Sequence, residues 1–263
     1  MDFTTLLRIY LTQVASTIGI IVVFGYLIGL CHTGFYHNLR KFGTPVFYAT
    51  ALIGAPIHEA SHALFCILFG HRITYFNPFC LTDDPNSMLW AQVHHTYNRN
   101  NIYQQIGNFF IGIGPLLVMS TGIFLLTYYL LPDFTNNAIS LLTSIEGFSF
   151  NEIWRVFSSM VVSFFSFANE PIWWLIFAVV LILSLHMTLS NADIKGATSG
   201  AITLLLIWFL TDLALWKFDA RTLSSITDYT IMIGALLTCI FAFALLFSLI
   251  AVAISAIIKA ATK

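Results

Sequence analysis

The chain has 263 residues, of which 58% are hydrophobic and 9% are charged, and its formal net charge is −1. Roughly 25% of residues are charged in an ordinary globular protein, so this chain has too few charges to cover itself in water, whereas lipid tails can solvate it. The near-zero net charge gives no electrostatic basis for a nucleic-acid partner. The composition therefore predicts an integral membrane protein whose main surroundings are the lipid bilayer.

Six apolar stretches are long enough to cross a bilayer, which takes ~20 mostly apolar residues. We predict these spans at about residues 6–31, 44–69, 106–131, 171–189, 198–216 and 229–258. A short polar turn is expected at 32–43 with Arg40 and Lys41, and a polar loop at 133–151. The sequence thus predicts an all-α, polytopic membrane helical bundle forming a single domain over 1–263.

The polar segment between the second and third spans has the pattern of a small hairpin. Residues 82–87, Thr-Asp-Asp-Pro-Asn-Ser, form a strong turn signal. Short runs at 72–79 and 88–93 flank this turn, and we predict that they pair as strands at the membrane surface. Farther on, residues 151–168 look amphipathic and are expected to lie in the interface.

The second predicted span contains the pattern His-Glu-x-x-His as His58, Glu59 and His62. Helical residues four apart share a face, so both imidazoles can bind one zinc ion at ~2.0–2.1 Å each. Glu59, ~100° around the helix from His58, can take a proton from a zinc-bound water. Ionisable groups in a span cost on the order of 2.5–3.5 kcal/mol and usually mark function. We predict a Zn²⁺ site; a structural polar cluster or an inactive relic is the alternative.

A catalytic zinc ion needs a third protein ligand, and the end of the fourth predicted span offers two candidates. Asp193 is an acidic residue at the edge of an apolar run, and His186 lies seven residues earlier. On one continuous helix their Cα atoms would be ~10.5 Å apart, too far for both to bind one ion without strain. We favour Asp193 as the ligand and His186 as a supporting group or alternative ligand. The alternative is that Asp193 is only a helix-end residue and that His186 is an interior histidine whose hydrogen-bonding groups have protein partners.

Two further polar features have an open interpretation. Asn108 lies in a glycine-rich stretch with Gly107, Gly112 and Gly114, where it could contact a substrate strand or a transition-state oxygen. The glycines are better explained by close helix packing. The segment 93–98, with a pair of histidines, could line an entrance to the site, although loop histidines are more often surface residues.

These residues resemble the site-2 protease family of intramembrane zinc metalloproteases, and in particular its small bacterial members. The resemblance rests on the His-Glu-x-x-His span, on the Gly107–Pro115 stretch and on the segment with His186 and Asp193, and it covers about residues 44–200. It implies zinc ligands at His58, His62 and Asp193 and a catalytic base at Glu59. In the family the aspartate is usually followed by Gly, whereas Ile194 follows Asp193 here.

The sequence therefore favours a zinc-dependent endopeptidase that cuts membrane-embedded or juxtamembrane peptides. A compact chain of this kind is expected in a bacterial inner (cell) membrane. One alternative is a non-catalytic scaffold or transporter with a retained polar pocket. Another is a di-iron lipid oxygenase with a histidine box, although eight histidines in all are few for such a site.

Overall fold

Helices dominate the computed structural model, which describes residues 2–39, 43–79 and 91–262, the side chains of 43–48 excepted. In chain order the elements are α1 (Phe3–Val14), a π-helical turn (Ala15–Gly19), α2 (Ile20–Asn38), α3 (Gly43–Leu68), β1 (Arg72–Asn77), β2 (Gln92–Thr96), α4 (Ile102–Leu130), α5 (Pro132–Thr143), α6 (Phe150–Ser166), α7 (Pro171–His186), α8 (Asn191–Phe218) and α9 (Ala220–Ala261). The predicted all-α class is confirmed.

Five helices in the described part of the chain are long and apolar enough to cross a membrane. They cover Phe3–Asn38, Ala49–Leu68, Ile102–Leu130, Asn191–Phe218 and Ala220–Ala261. The fourth predicted span corresponds to α7, an apolar helix of only 16 residues. Helices suit this environment because lipid offers the backbone no hydrogen-bond partners. The chain is therefore a multi-pass integral membrane protein.

Most helices extend beyond the apolar stretches that predicted them. The turn expected from residue 32 is wrong in its first part, because α2 continues to Asn38; Arg40 and Lys41 lie outside the described residues. The polar loop expected at 133–151 is also wrong, since it contains most of α5, which starts at Pro132. Hydropathy marks only the ~20 residues that cross hydrocarbon, whereas a helix can continue where its side chains meet water.

The polar hairpin between α3 and α4 has one strand as predicted and one shifted. Strands β1 and β2 pair antiparallel, with Arg72 opposite Thr96 and Asn77 opposite Gln92. An irregularity between Ile73 and Tyr75 leaves Thr74 without a partner across the ladder, as in a β-bulge. The second strand is Gln92–Thr96 rather than 88–93, and the turn expected at 82–87 lies outside the described residues.

The chain divides into two compact units. The first comprises Met1–Phe24, Phe124–Ile176 and Leu204–Phe243. Its core contains the fully buried rings of Phe164 and Trp173, with centroids 5.4 Å apart. The indole Nε1 of Trp173 donates a hydrogen bond to the Phe164 carbonyl over 2.8 Å, so the buried polar atom of this ring is satisfied.

The second unit comprises Gly25–Ile123, Phe177–Thr203 and Ala244–Lys263. Its helices approach each other closely at glycine residues, which have no side chain. A Cβ on Gly200 of α8 would stand 2.4 Å from the backbone nitrogen of Phe109 in α4. A Cβ on Gly54 of α3 would stand 2.3 Å from the imidazole of His186 in α7. Small residues at such crossings are the usual way in which membrane helices pack tightly.

Replacing Gly234 by alanine should destabilise the first unit. A Cβ at this position of α9 would stand 2.1 Å from the carbonyl oxygen of Ser16, so backbone must move, at an expected cost of about 1–3 kcal/mol. Thermal unfolding in detergent micelles measures the effect. The control is Gly29→Ala, which meets nothing within 4 Å and should be neutral or slightly stabilising because alanine favours helix. Equal unfolding temperatures for the two variants would contradict this packing.

Candidate metal centre

Three side chains of the second unit converge on one point. The ligand atoms of His58, His62 and Asp193 all lie within 4.8 Å of one another. The His62 Nε2 is 3.3 Å from Asp193 Oδ1, and the His58 Nε2 is 3.9 Å from Asp193 Oδ2. Helix α3 supplies both imidazoles from one face, and the first turn of α8 supplies the carboxylate. These are the three residues that the sequence pattern singled out as ligands.

Backbone carbonyls determine which nitrogen of each imidazole faces the centre. The Nδ1 of His58 lies 2.9 Å from the carbonyl oxygen of His186, and the Nδ1 of His62 lies 2.7 Å from that of Ile111. Because a carbonyl only accepts, each Nδ1 carries the proton, and a neutral imidazole then has a lone pair on Nε2. Two lone pairs thus face a carboxylate. This arrangement suits a bound cation and matches the carbonyl support usually found behind metal-bound histidines.

A capping box holds Asp193 in place. The N–H of Ser190 donates to Asp193 Oδ2 over 2.8 Å, and the N–H of Asp193 donates to Ser190 Oγ over 3.1 Å. This reciprocal pair is the usual start of a helix with the pattern Ser-x-x-acid, and α8 begins directly after Ser190. The sequence contains this signal, which predicts a helix start at the third candidate ligand, but our sequence analysis did not use it.

The side chain of His186 lies away from the centre. Its Nδ1 donates to the Ile182 carbonyl over 3.0 Å within α7, and its ring stands edge-on to that of His32 at 5.7 Å. The continuous helix that we assumed between His186 and Asp193 is wrong, because residues 187–190 are not helical. His186 supports His58 through its backbone carbonyl instead.

A cavity of about 400 Å³ opens beside the three candidate ligands. Glu59 lines it together with His58, His62 and Asp193, and the Glu59 carboxylate accepts a hydrogen bond from the Val93 N–H of β2. Among the described residues that line this cavity, none is Lys or Arg. Two carboxylates therefore share a cavity without a cationic side chain, which is a second reason for a metal ion to bind here.

Asn108 and the glycines of α4 also lie at this cavity. Asn108 is buried, lines the cavity and donates from Nδ2 to Ser199 Oγ over 3.1 Å. A Cβ on Gly112 would stand 2.6 Å from Ala197 Cβ and 2.8 Å from the Asp193 carbonyl oxygen. The packing interpretation of the glycines therefore applies, and at Gly112 this packing holds α8 against α4.

The two loop histidines differ in their surroundings. His94 is exposed, and its Nε2 lies 2.7 Å from Gln92 Oε1. His95 lines the cavity, and its Nδ1 lies 3.0 Å from the Nδ1 of His71. His94 lines the cavity as well, so the surface interpretation is wrong for His95 and incomplete for His94. The predicted hairpin has its second strand at 88–93, so it does not bring His95 beside His71; the observed register does.

Comparison with protein-family models, with curated proteins and with solved structures finds no match for this chain. The resemblance to site-2 proteases therefore stays a prediction from the sequence. The functional argument rests on the geometry of the cluster and its cavity.

Replacing Gly112 by alanine should weaken metal binding. The added methyl group meets Ala197 and the Asp193 carbonyl, so it should push the first turn of α8 away from the two histidines. We expect a loss of about 10–100-fold in metal affinity, as for other supporting residues. Competition titration against a chelator in detergent measures it. Gly196→Ala is the matched control, since its methyl group on the same helix meets nothing within 4 Å. Similar affinities for both variants would argue against this coupling.

Proposed function

We propose that this chain is a zinc-dependent intramembrane endopeptidase that hydrolyses peptide bonds of membrane-embedded or juxtamembrane substrates. One observation carries the proposal: a three-ligand cluster and a separate carboxylate, Glu59, line the same cavity within one unit of a membrane protein. A ligand set alone is compatible with a structural metal. The added carboxylate supplies a base beside the position where a metal-bound water would lie.

The donor set fits zinc. Catalytic zinc sites use three protein ligands of nitrogen, oxygen or sulfur type and keep one position for water. Two ligand atoms at ~2.0–2.2 Å from one tetrahedral ion are roughly 3.4 Å apart, close to the 3.3 Å between His62 Nε2 and Asp193 Oδ1. Two imidazoles and one carboxylate also suit zinc better than magnesium or calcium, which prefer oxygen ligands throughout.

Each residue at the cavity has a different role in the proposed peptide hydrolysis. Zinc, when bound, lowers the pKa of water toward ~7 and polarises a carbonyl group. Glu59 accepts the proton of the attacking water and returns it to the leaving amine. The Val93 N–H orients the Glu59 carboxylate. Asn108, on the cavity wall, is a candidate for contacting the substrate through its amide group.

An extended peptide is the substrate form that this cavity favours. A membrane-spanning helix hides its backbone in internal hydrogen bonds, so it must unwind before its carbonyl group can be attacked. Strand β2 pairs with β1 along one edge, while residues 91–95 line the cavity. An unwound segment can add to such a strand through main-chain hydrogen bonds. We place this activity in a bacterial inner membrane, as the resemblance suggests.

The two alternative functions have less support. A di-iron oxygenase needs ligands for two metal ions, whereas the described residues contain one group of three possible ligands. A scaffold or transporter could use the same pocket. It would need neither an open coordination position on a metal ion nor a carboxylate such as Glu59 beside it.

The zinc content of variants should distinguish a proposed zinc ligand, His62, from the proposed general base, Glu59. Purified protein is expected to hold about one zinc ion per chain. His62→Ala should lose it, because one of three ligands is removed, whereas Glu59→Gln should retain it. Elemental analysis after dialysis against a weak chelator makes the measurement, with His37→Ala, an exposed histidine outside the cavity lining, as the control. Full zinc content in His62→Ala would remove the proposed centre.

Proteolysis should depend on Glu59. We expect cells that express the wild type to contain new amino termini within or next to the apolar segments of membrane proteins. Glu59→Gln should lower their rate of formation by about 10²–10⁴-fold, since it removes the general base. Mass spectrometry of amino-terminal peptides makes the comparison, with His37→Ala again as control. Identical termini in wild-type and Glu59→Gln cells would exclude the peptidase and leave the scaffold or transporter.

A further inference from the structure

A pair of hydrogen-bonded histidines lies beside the metal centre. His71, just after α3, is only 6% exposed, and its Nδ1 lies 3.0 Å from the Nδ1 of His95 on β2. On its other side, the Nε2 of His71 lies 2.7 Å from the carbonyl oxygen of Gln104 in α4. A chain of hydrogen bonds therefore connects the Gln104 carbonyl of α4 to His71, and His71 to His95, which lines the cavity.

The backbone end of this chain determines where the protons lie. The Gln104 carbonyl only accepts, so His71 must donate from Nε2, and a neutral His71 then accepts at Nδ1. His95 must therefore donate from Nδ1, which leaves its Nε2 without a proton. Burial lowers the pKa of both imidazoles, that of His95 to about 4, and both are therefore neutral near pH 7.

His95 lies at the wall of the space where a substrate would bind. His95 lines the cavity together with Glu59 and His62. Within the described ranges 2–39, 43–79 and 91–262, its Nε2 has no hydrogen-bond partner. His95 thus offers a hydrogen-bond acceptor of fixed tautomer to whatever enters the cavity.

The surroundings of His71 keep this arrangement rigid. Its ring stacks on Tyr97 with centroids 5.1 Å apart and planes 15° apart. A Cβ on Gly107 would stand 3.0 Å from His71 Nε2 and 2.5 Å from Phe69 Cβ, so the absence of a side chain makes room for the imidazole. Burying polar imidazoles costs free energy that an apolar pair would not, which indicates a role beyond packing.

We propose that His95 is a substrate-binding residue whose unprotonated Nε2 accepts a hydrogen bond from a backbone N–H of the bound peptide. This inference rests on the proposed peptidase function. An extended peptide presents its N–H groups along both edges, and it needs acceptors from the protein. A neutral acceptor fits this cavity, because a further carboxylate beside Glu59 and Asp193 would add like-charge repulsion.

Peptide binding in the Glu59→Gln background tests the proposal without cleavage. The probe is a fluorescent peptide that spans a cut site found by the amino-terminal mass spectrometry. His95→Phe keeps a ring against His71 but removes both nitrogens, and it should weaken binding about five- to tenfold, as expected for one lost hydrogen bond. His95→Gln restores an acceptor and should recover most of the affinity. His37→Phe, at an exposed histidine of α2 that does not line the cavity, should change nothing.

Peptides N-methylated at single positions sharpen this test. Methylation of the contacted nitrogen should weaken binding to protein with His95 and should have no further effect on His95→Phe, as in a double-mutant cycle. Equal affinities for His95→Phe and its parent would overturn the role of His95. If the wild type still cleaved peptides, the proposed peptidase function would stand. If the wild type cuts nothing, the proposed function fails and this inference fails with it.

Nuclear magnetic resonance of the metal-free protein with ¹⁵N-labelled histidine gives a readout independent of activity. The His95 signals are assigned by their loss in His95→Gln. We expect an unprotonated Nε2 and a protonated Nδ1 near pH 7. A protonated Nε2 on His95 would overturn the proposal even if His95→Phe failed to fold.

Discussion

The site depends on one electrostatic constraint: two imidazole lone pairs and a carboxylate face each other without a proton or a cationic side chain between them. The constraint arises away from the centre, where the carbonyl groups of His186 and Ile111 hold the protons of His58 and His62 on Nδ1. Helices α7 and α4 thus decide what the histidines of α3 can bind. A cation at the centre would convert mutual repulsion into ligation, which is why this geometry favours the proposed metal ion over a packed polar cluster.

Glycine positions make this constraint possible. Gly54 lets α3 pack against the His186 ring, and Gly112 lets α4 pack against the first turn of α8. Each close approach brings a backbone group or a ligand into hydrogen-bonding or binding distance. In lipid there is no hydrophobic force between helices, so helix packing and site geometry depend on the same small residues. A change at either glycine therefore acts on both.

The hairpin adds functional groups that the helices lack. Its second strand supplies the Val93 N–H to Glu59 and places His95 in the cavity wall. Two different kinds of group thus come from neighbouring positions of one short strand: a donor that orients the proposed base, and an acceptor suited to a peptide. The hairpin therefore belongs to the proposed active site as much as the helices that carry the candidate ligands do.

The sequence alone determined the fold class and the residues of the candidate ligand set. Low charge and long apolar stretches require a helical membrane bundle, because lipid leaves the backbone no other way to satisfy its polar groups. The spacing of His58 and His62 places both on one helix face whatever the rest of the fold. Only the tertiary structure decided that α8 begins beside Asp193, that His186 contributes its carbonyl and not its ring, and that His95 faces the cavity. These features depend on contacts between segments far apart in the chain, on which local periodicity and hydropathy carry no information.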